Sequence, residues 1–344
     1  MRRLAILIGA AGTFGLMLLD ALVRDEPAPQ DDDLIYERMA DDPFAPHTYV
    51  FAFRVAVPWL VHVLPFSHDL SFSVLAWAMS GAAGAVLFVL LERLGIPRAV
   101  SIPLALVLAL SPPMLVASLR QGRNPDPMTI LVMVTGALFI VERKPVPLAI
   151  TMLIGAANRE SALFLGPLAY AVWAERLFDR EVLLRAAAVT VPALVAFLTL
   201  RFTLPTVGRE QVPGYGSLLG GRIDVVQEAF ETPGTLVRRL ATVYGPLWLV
   251  APLGFLRFEF ARRGLVLVGL CLVAFTFALD WGRIIAVAAP VVYASASWVL
   301  WKYPRTRMPV FALCAVLVFG YAAYMQAEGV QNLIDAGPPP YPVR

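Results

Sequence analysis

Lysine is almost missing from this chain. Of its 28 basic residues only Lys144 and Lys302 are lysine; the rest are arginine. The formal net charge of +3 is small and comes from connecting segments. It gives no argument for nucleic acid, because a membrane protein needs loop cations for topology alone. Cysteine is equally scarce: Cys271 and Cys314 both lie inside apolar runs, where they act as small hydrophobes. They set no disulfide framework and leave the redox compartment open. The histidines His47, His62 and His68 follow no zinc-ligand spacing. There is no Gly-rich phosphate loop, nucleophile elbow or HExxH motif. Gly220 and Gly221 in "LLGGRID" are too few for a phosphate cradle and read as a hinge before "RIDVVQEAF".

Charge itself is sparse. Charged residues make up 15% of the chain, where a soluble domain carries roughly a quarter. With 59% hydrophobic residues and a mean hydropathy of +0.71, the chain is an integral membrane protein. Its start, "MRRLAILIGAAGTFGLMLLDALV", has the basic-then-apolar form of a signal peptide. No small-x-small cleavage site follows, so it reads as a retained first helix. No internal repeat or soluble domain interrupts the pattern.

About 20 apolar residues span a bilayer. That length places spans near 4–22, 72–91, 99–118, 127–141, 186–203, 240–256, 264–279, 284–301 and 308–325. Two segments have competing readings. Residues 48–66, "TYVFAFRVAVPWLVHVLPF", are either a span or an interfacial segment. Residues 146–174 are either one long helix or two short ones with "NRES" (158–161) at the tip. Taking 48–66 as interfacial and 146–174 as a pair gathers Arg2, Arg3, Arg93, Arg98, Arg143, Lys144, Arg176, Arg180, Arg185, Arg257, Arg262, Arg263, Lys302, Arg305 and Arg307 on one side. By the positive-inside rule that side is the cytoplasm. The expectation is therefore a single all-α transmembrane domain over 1–344 with about 10–11 helices. Its N-terminus is cytoplasmic, in the plasma (inner) membrane. Residues 24–70 form a first extracytoplasmic loop with short interfacial helices, 205–236 a second, and 326–344 an extracytoplasmic tail.

The outward side then collects the unusual polar residues. "PAPQDDDLIYERMADDPFAP" (27–46) is the densest carboxylate cluster in the chain. Asp31, Asp32 and Asp33 read as a general base or a divalent-cation site facing outer water, or as a plain hydrophilic loop. A helix beginning at Asp33 would use it as N-cap. Arg54, in "FAFRVAVPWL", either snorkels to the interface or pairs with an anion. Arg120, Arg123 and Asp126 crowd the turn "RQGRNPDP", where Asp126 before Pro127 could be a helix N-cap and nothing more. Arg159 and Glu160 in "NRES" would lie below the outer surface, where charge is costly unless satisfied. They either tie the bundle together or bind an anion and orient an acceptor. Asp280 and Arg283 in "LDWGRIIAVAAP" are either a local ion pair or a guanidinium suited to phosphate oxygens.

A first helix, a loop carrying "DDDLIYERMA" and an interface segment "FRVAVPWL" together resemble the GT-C class of polytopic glycosyltransferases. In that class an aspartate of the first outer loop often stands three residues before a tyrosine, as Asp33 does before Tyr36 here. "NRES" is similar to the class's mid-chain segment, in which an acidic residue follows a basic one. The sequence differs from some members in having no large C-terminal soluble domain. The resemblance implies transfer of a sugar from a polyprenyl-phosphate donor to a hydroxyl of a lipid, glycan or protein acceptor, at the outer face. Asp33, with Asp32 as alternate, would be the base. Tyr36, Arg54, Arg123, Asp126, Arg159, Glu160, Asp280 and Arg283 would bind substrate, with Arg283, Arg159 and Arg123 on the phosphate. A divalent cation on Asp31, Asp32 and Asp33 would be compatible. One base and direct displacement imply inversion at the anomeric carbon. The alternatives are a polysaccharide polymerase or ligase, and a lipid or glycan transporter or flippase, which needs a polar path reaching both sides.

Overall fold

The computed structural model describes residues 1–23, 31–48, 51–116, 123–207, 233–275 and 281–335. Within these, side chains are described except at 23, 31–33, 233, 235, 236, 238, 239, 281 and 325–335. The protein is an all-α polytopic membrane protein. Helices α1 (Arg2–Val23) and α2 (Asp31–Asp41) precede a two-residue strand, β1 (His47–Thr48). Next come α3 (Ala56–Val63), α4 (His68–Arg93), α5 (Arg98–Ala109), α6 (Pro112–Leu115) and α7 (Asp126–Val141). A pair of short helices, α8 (Pro145–Ala156) and α9 (Leu165–Trp173), is joined through a 3-10 turn (Glu160–Phe164). Then follow α10 (Arg180–Thr203), β2 (Thr206–Val207), α11 (Pro233–Tyr244), α12 (Leu247–Arg257) and α13 (Glu259–Ala274). The last helices are α14 (Trp281–Ala286), α15 (Ala289–Lys302) and α16 (Arg307–Asp335).

Among the described residues, five helical stretches are long and apolar enough to cross a membrane: Arg2–Leu22, His68–Arg93, Arg98–Leu115, Arg180–Thr203 and Pro304–Tyr324. Asp126–Val141, Pro145–Ala156 and Leu247–Arg257 are shorter apolar helices. The expected 10–11 crossings are thus not all helices of crossing length, and three of the expected spans are interrupted. Proline explains the breaks. It lacks the N–H that would continue a helix and is accepted in the first turn of the next one. Pro112 and Pro113 separate α5 from α6, and Pro290 opens α15 after α14. Between α11 and α12, Gly245 takes φ +50°, a conformation that favours glycine, before Pro246.

Two expectations agree with the structure and two change. Residues 146–174 are two helices, as the charge sidedness requires, and 48–66 holds a turn and the short α3 rather than a span. The final helix runs on to Asp335, so the segment expected as a tail from 326 is helical for its first ten residues. Helix α2 begins at Asp31, which puts Asp33 inside its first turn rather than at the N-cap.

The packing order fixes where chemistry can gather. Helix α1 lies on α4, which also packs on α5 and α7, and α7 in turn packs on α8 and α9. Close approach of α1 to α4 requires glycine at 81, where a Cβ would sit 2.4 Å from the Gly9 carbonyl oxygen. Small residues let membrane helices touch backbone to backbone in this way. The Trp173 indole donates to Ile140 O at 2.8 Å, so the α9 C-terminus lies beside the α7 C-terminus. Consequently the 157–164 turn of the α8–α9 pair reaches the opposite, N-terminal end of α7. β1 and β2 pair in parallel, His47 with Thr206 and Thr48 with Val207, tying the first connection to the end of α10.

Candidate functional site

The first turn of α7 is where distant segments meet. Asp126 opens the helix, but its carboxylate does not cap it, and its backbone N–H donates to Asn124 Oδ1 at 3.0 Å instead. The N-cap expected from its position before Pro127 is therefore not what this side chain does. Arg159 Nη1 donates to Asp126 Oδ1 and Arg283 Nε to Oδ2, each at 2.5 Å. One carboxylate thus holds guanidinium groups from two other elements, 33 and 157 residues away in sequence. The side chains of Asp126, Arg159 and Arg283 are 11%, 10% and 19% exposed. Buried charges persist only when paired and hydrogen-bonded, and this bridge supplies both.

The turn that carries Arg159 is locked to α7 by its neighbour. Asn158 Nδ2 donates to Pro125 O at 3.1 Å and to Thr129 Oγ1 at 2.9 Å. On its other side the turn meets the segment leading into α3, where Ala56 N–H donates to Ala157 O at 3.1 Å. That bond brings Arg54 to the site. Arg54 Nη1 donates to the hydroxyl of fully buried Tyr36 at 3.2 Å, and its guanidinium lies over the Phe51 ring at 5.5 Å. Phe51 in turn meets Tyr36 edge-on, with centroids 5.5 Å apart. Arg54 therefore pairs rather than snorkels. Glu160 lies within electrostatic reach of Arg54, Arg159 and Arg201. Arg54 likewise reaches Asp126.

Of the residues picked out in the sequence, the structure brings together Tyr36, Arg54, Asp126, Arg159, Glu160 and Arg283. Arg123 belongs to a neighbouring clamp. It bonds Glu37 of α2 at 3.3 Å and also Asp69 of α4, fastening those helices to each other. The side chains of Asp31, Asp32 and Asp33, and the whole of Asp280, lie outside the described residues. Among the described residues no group of three or more His, Cys, Asp or Glu could hold a metal ion. The histidines serve α2: His62 Nδ1 donates to Ala40 O at 2.9 Å and His47 Nε2 to Asp42 O at 2.7 Å, satisfying carbonyls at its C-terminal end.

Two participants escaped the sequence reading. Asn158, inside the quoted "NRES", is fully buried, and a buried amide in an apolar run is itself a signal. Arg201 sits near the end of a span, where arginine ordinarily snorkels. Here it stacks on Phe53 at 5.0 Å and Phe197 at 5.8 Å and reaches Glu160.

No known protein family and no curated protein matches this chain. Among solved structures, the chain is similar to the Archaeoglobus fulgidus oligosaccharyltransferase, crystallised in complex with Zn and sulfate. The identity is 12% and the TM-score 0.49, over 93% of this chain and 53% of the other. This chain spans about half the length of that structure, and a likeness at this level assigns no residue a role.

Proposed function

We propose that this protein is a membrane glycosyltransferase that moves a sugar from a polyprenyl-phosphate donor to an acceptor hydroxyl, with the Asp126 end of the bundle facing the extracytoplasmic side. The observation that carries the reading is the Asp126 bridge. Two guanidinium groups, of Arg159 and Arg283, are fixed in place before any ligand arrives. Preorganised cations of this kind stabilise charge that develops on a departing phosphate and need not reorganise when it forms. They stand at one end of an apolar helix, where a lipid-anchored phosphate would reach them from the bilayer.

The reaction follows from the groups. A carboxylate of Asp33, or of Asp32, takes the proton of the acceptor hydroxyl. The acceptor oxygen forms its bond to the anomeric carbon as the carbon–oxygen bond to phosphate breaks. The electron pair leaves on polyprenyl phosphate, held by Arg159 and Arg283. Direct displacement inverts the anomeric centre. Asp126 is an unsuitable base, since both oxygens already accept charged hydrogen bonds. A divalent cation, were Asp31, Asp32 and Asp33 to hold one, would supply positive charge to offset the charge of the leaving phosphate. EDTA followed by Mg2+ or Mn2+ readdition tests for it.

The experiment is a transfer assay on purified, reconstituted protein with a panel of polyprenyl-phosphate sugars. Asp33→Asn, Asp32→Asn and Asp31→Asn are each tested alone. One of the first two is expected to lose about 10²–10⁴-fold in turnover, the usual contribution of a general base. Full turnover in all three variants would remove the aspartate base. Movement of lipid across the bilayer without transfer would favour a flippase instead.

A further inference from the structure

Seven buried side-chain nitrogen or oxygen atoms have no hydrogen-bond partner among the described residues, and four of them gather here: Arg54 Nε, Asn158 Oδ1, Glu160 Oε2 and Ser161 Oγ. Three belong to the single turn 158–161. The fourth belongs to Arg54, two residues before Ala56, whose N–H bonds Ala157 O, and the Arg54 guanidinium lies within electrostatic reach of Glu160. Buried polar atoms are nearly always paired with protein, ordered water or a ligand, so a concentration of atoms without a protein partner marks a place that water or a ligand occupies. Their chemistry limits what that partner is. Asn158 Oδ1 and ionised Glu160 Oε2 only accept, Arg54 Nε–H only donates, and the Ser161 hydroxyl does both. A phosphate offers acceptors, and the two acceptor atoms would repel it. A cluster of hydroxyl groups, each donating and accepting, satisfies all four.

We infer that the 158–161 turn together with Arg54 forms the subsite that reads the hydroxyl groups of the transferred sugar. The phosphate is gripped separately by Arg159 and Arg283, which Asp126 orients. Choice of sugar then resides in Glu160, Ser161, Asn158 and Arg54, while affinity for the lipid phosphate resides in the other arginines. This division rests on the glycosyltransferase reading above.

The test measures binding to the full chain in nanodiscs by two kinds of probe. One is bare polyprenyl phosphate; the other is polyprenyl-phosphate mannose, glucose or arabinose. Wild type is compared with Glu160→Gln and Ser161→Ala, and thermal unfolding checks each variant. Asn158 is left intact because its amide nitrogen locks the turn to α7. Wild type is expected to prefer at least one sugar-bearing lipid by about tenfold or more, since a hydrogen bond to a charged group contributes on that order. Glu160→Gln is expected to erase about tenfold of that preference, and Ser161→Ala a smaller part, with bare polyprenyl phosphate binding unchanged in both. Should Glu160→Gln fail to fold, Ser161→Ala still decides. A wild type with no sugar preference, variants that keep it, or variants that weaken both probes equally would overturn the subsite. Failure of wild type to bind any polyprenyl phosphate would instead overturn the functional reading beneath it.

Discussion

Helix α7 has a charged cluster at each end, and the two are built differently. At its N-terminus, Asp126 is bridged by arginines 33 and 157 residues away; Asp126 and Arg159 are buried and Arg283 is partly buried. Just past its C-terminus, Glu142 bonds Lys144, two residues on, and Arg93, each at 2.7 Å. The side chains of Arg93 and Lys144 are about half exposed, at 49% and 54%. Other basic residues serve helix ends as well. Arg263 donates to the carbonyls of Ala171, Val172 and Ala174 at the end of α9, and Arg307 to Leu300 and Trp301 at the end of α15. Cations at helix C-termini satisfy orphan carbonyls and oppose the negative end of the helix dipole. Both clusters join remote elements, since Arg93 of α4 is 49 residues from Glu142, but the cations at the Glu142 end are half in water whereas those at the Asp126 end are largely withdrawn from it. Guanidinium groups withdrawn from water are what separate the candidate site from the connector.

Removing one carboxylate at each end of α7 should affect the protein very differently. Asp126→Ala leaves two buried guanidiniums without their counter-ion, an arrangement that costs about 3–5 kcal/mol. Its unfolding midpoint in detergent should drop by several degrees, and transfer activity should vanish with it. Equal midpoints for Asp126→Ala and wild type would show that the bridge bears no stress. Less severe is Arg283→Lys, which keeps the charge but loses the planar fork. It should retain the fold while turnover falls by about tenfold or more; unchanged turnover would take Arg283 off the phosphate.

Arg123→Ala sharpens the same contrast from beside the site. Its partly exposed links to Glu37 and Asp69 fasten α2 to α4, so stability should fall by about 1 kcal/mol, near the upper end for surface pairs. Sugar-lipid binding should change little; a large loss would place Arg123 on the phosphate. Smallest of all is Glu142→Gln. A hydrogen bond from Lys144, with the charges of Lys144 and Arg93, holds the Glu142 carboxyl below its ordinary value. Because the folded-state value is the lower one, the stabilisation is present at neutral pH and disappears as pH falls through it. The variant should thus lose under about 1 kcal/mol at pH 7 and nothing once Glu142 is protonated. Added salt should shrink the difference, and a salt-independent loss would mean that this end is not a solvated connector.

Much of the site was legible because charge inside apolar runs is costly and needs a reason. Arg54, Arg159, Glu160 and Arg283 stand out on that ground, and charge sidedness correctly divided 146–174 into two helices. What the sequence could not show was pairing. Asp126 looks like a helix cap before Pro127, and nothing local says that its partners lie in two other elements. Arg123 looks like a phosphate ligand for the same reason, since its partners Glu37 and Asp69 are remote from it in the chain. Span breaks at Pro112, Gly245 and Pro290 were visible as residues, but their effect depended on neighbours that could accept a broken helix. The continuation of α16 through Asp335 was missed because a polar sequence can extend a helix beyond its apolar stretch.

A cryo-EM structure of the protein in nanodiscs with bound polyprenyl phosphate is the most direct test. The expected density has phosphate oxygens within hydrogen-bond distance of Arg159 and Arg283, both still joined to Asp126, with the prenyl chain leading away among the apolar helices. Phosphate bound at the Glu142 end, or Arg159 and Arg283 far apart with Asp126 facing water, would contradict the account.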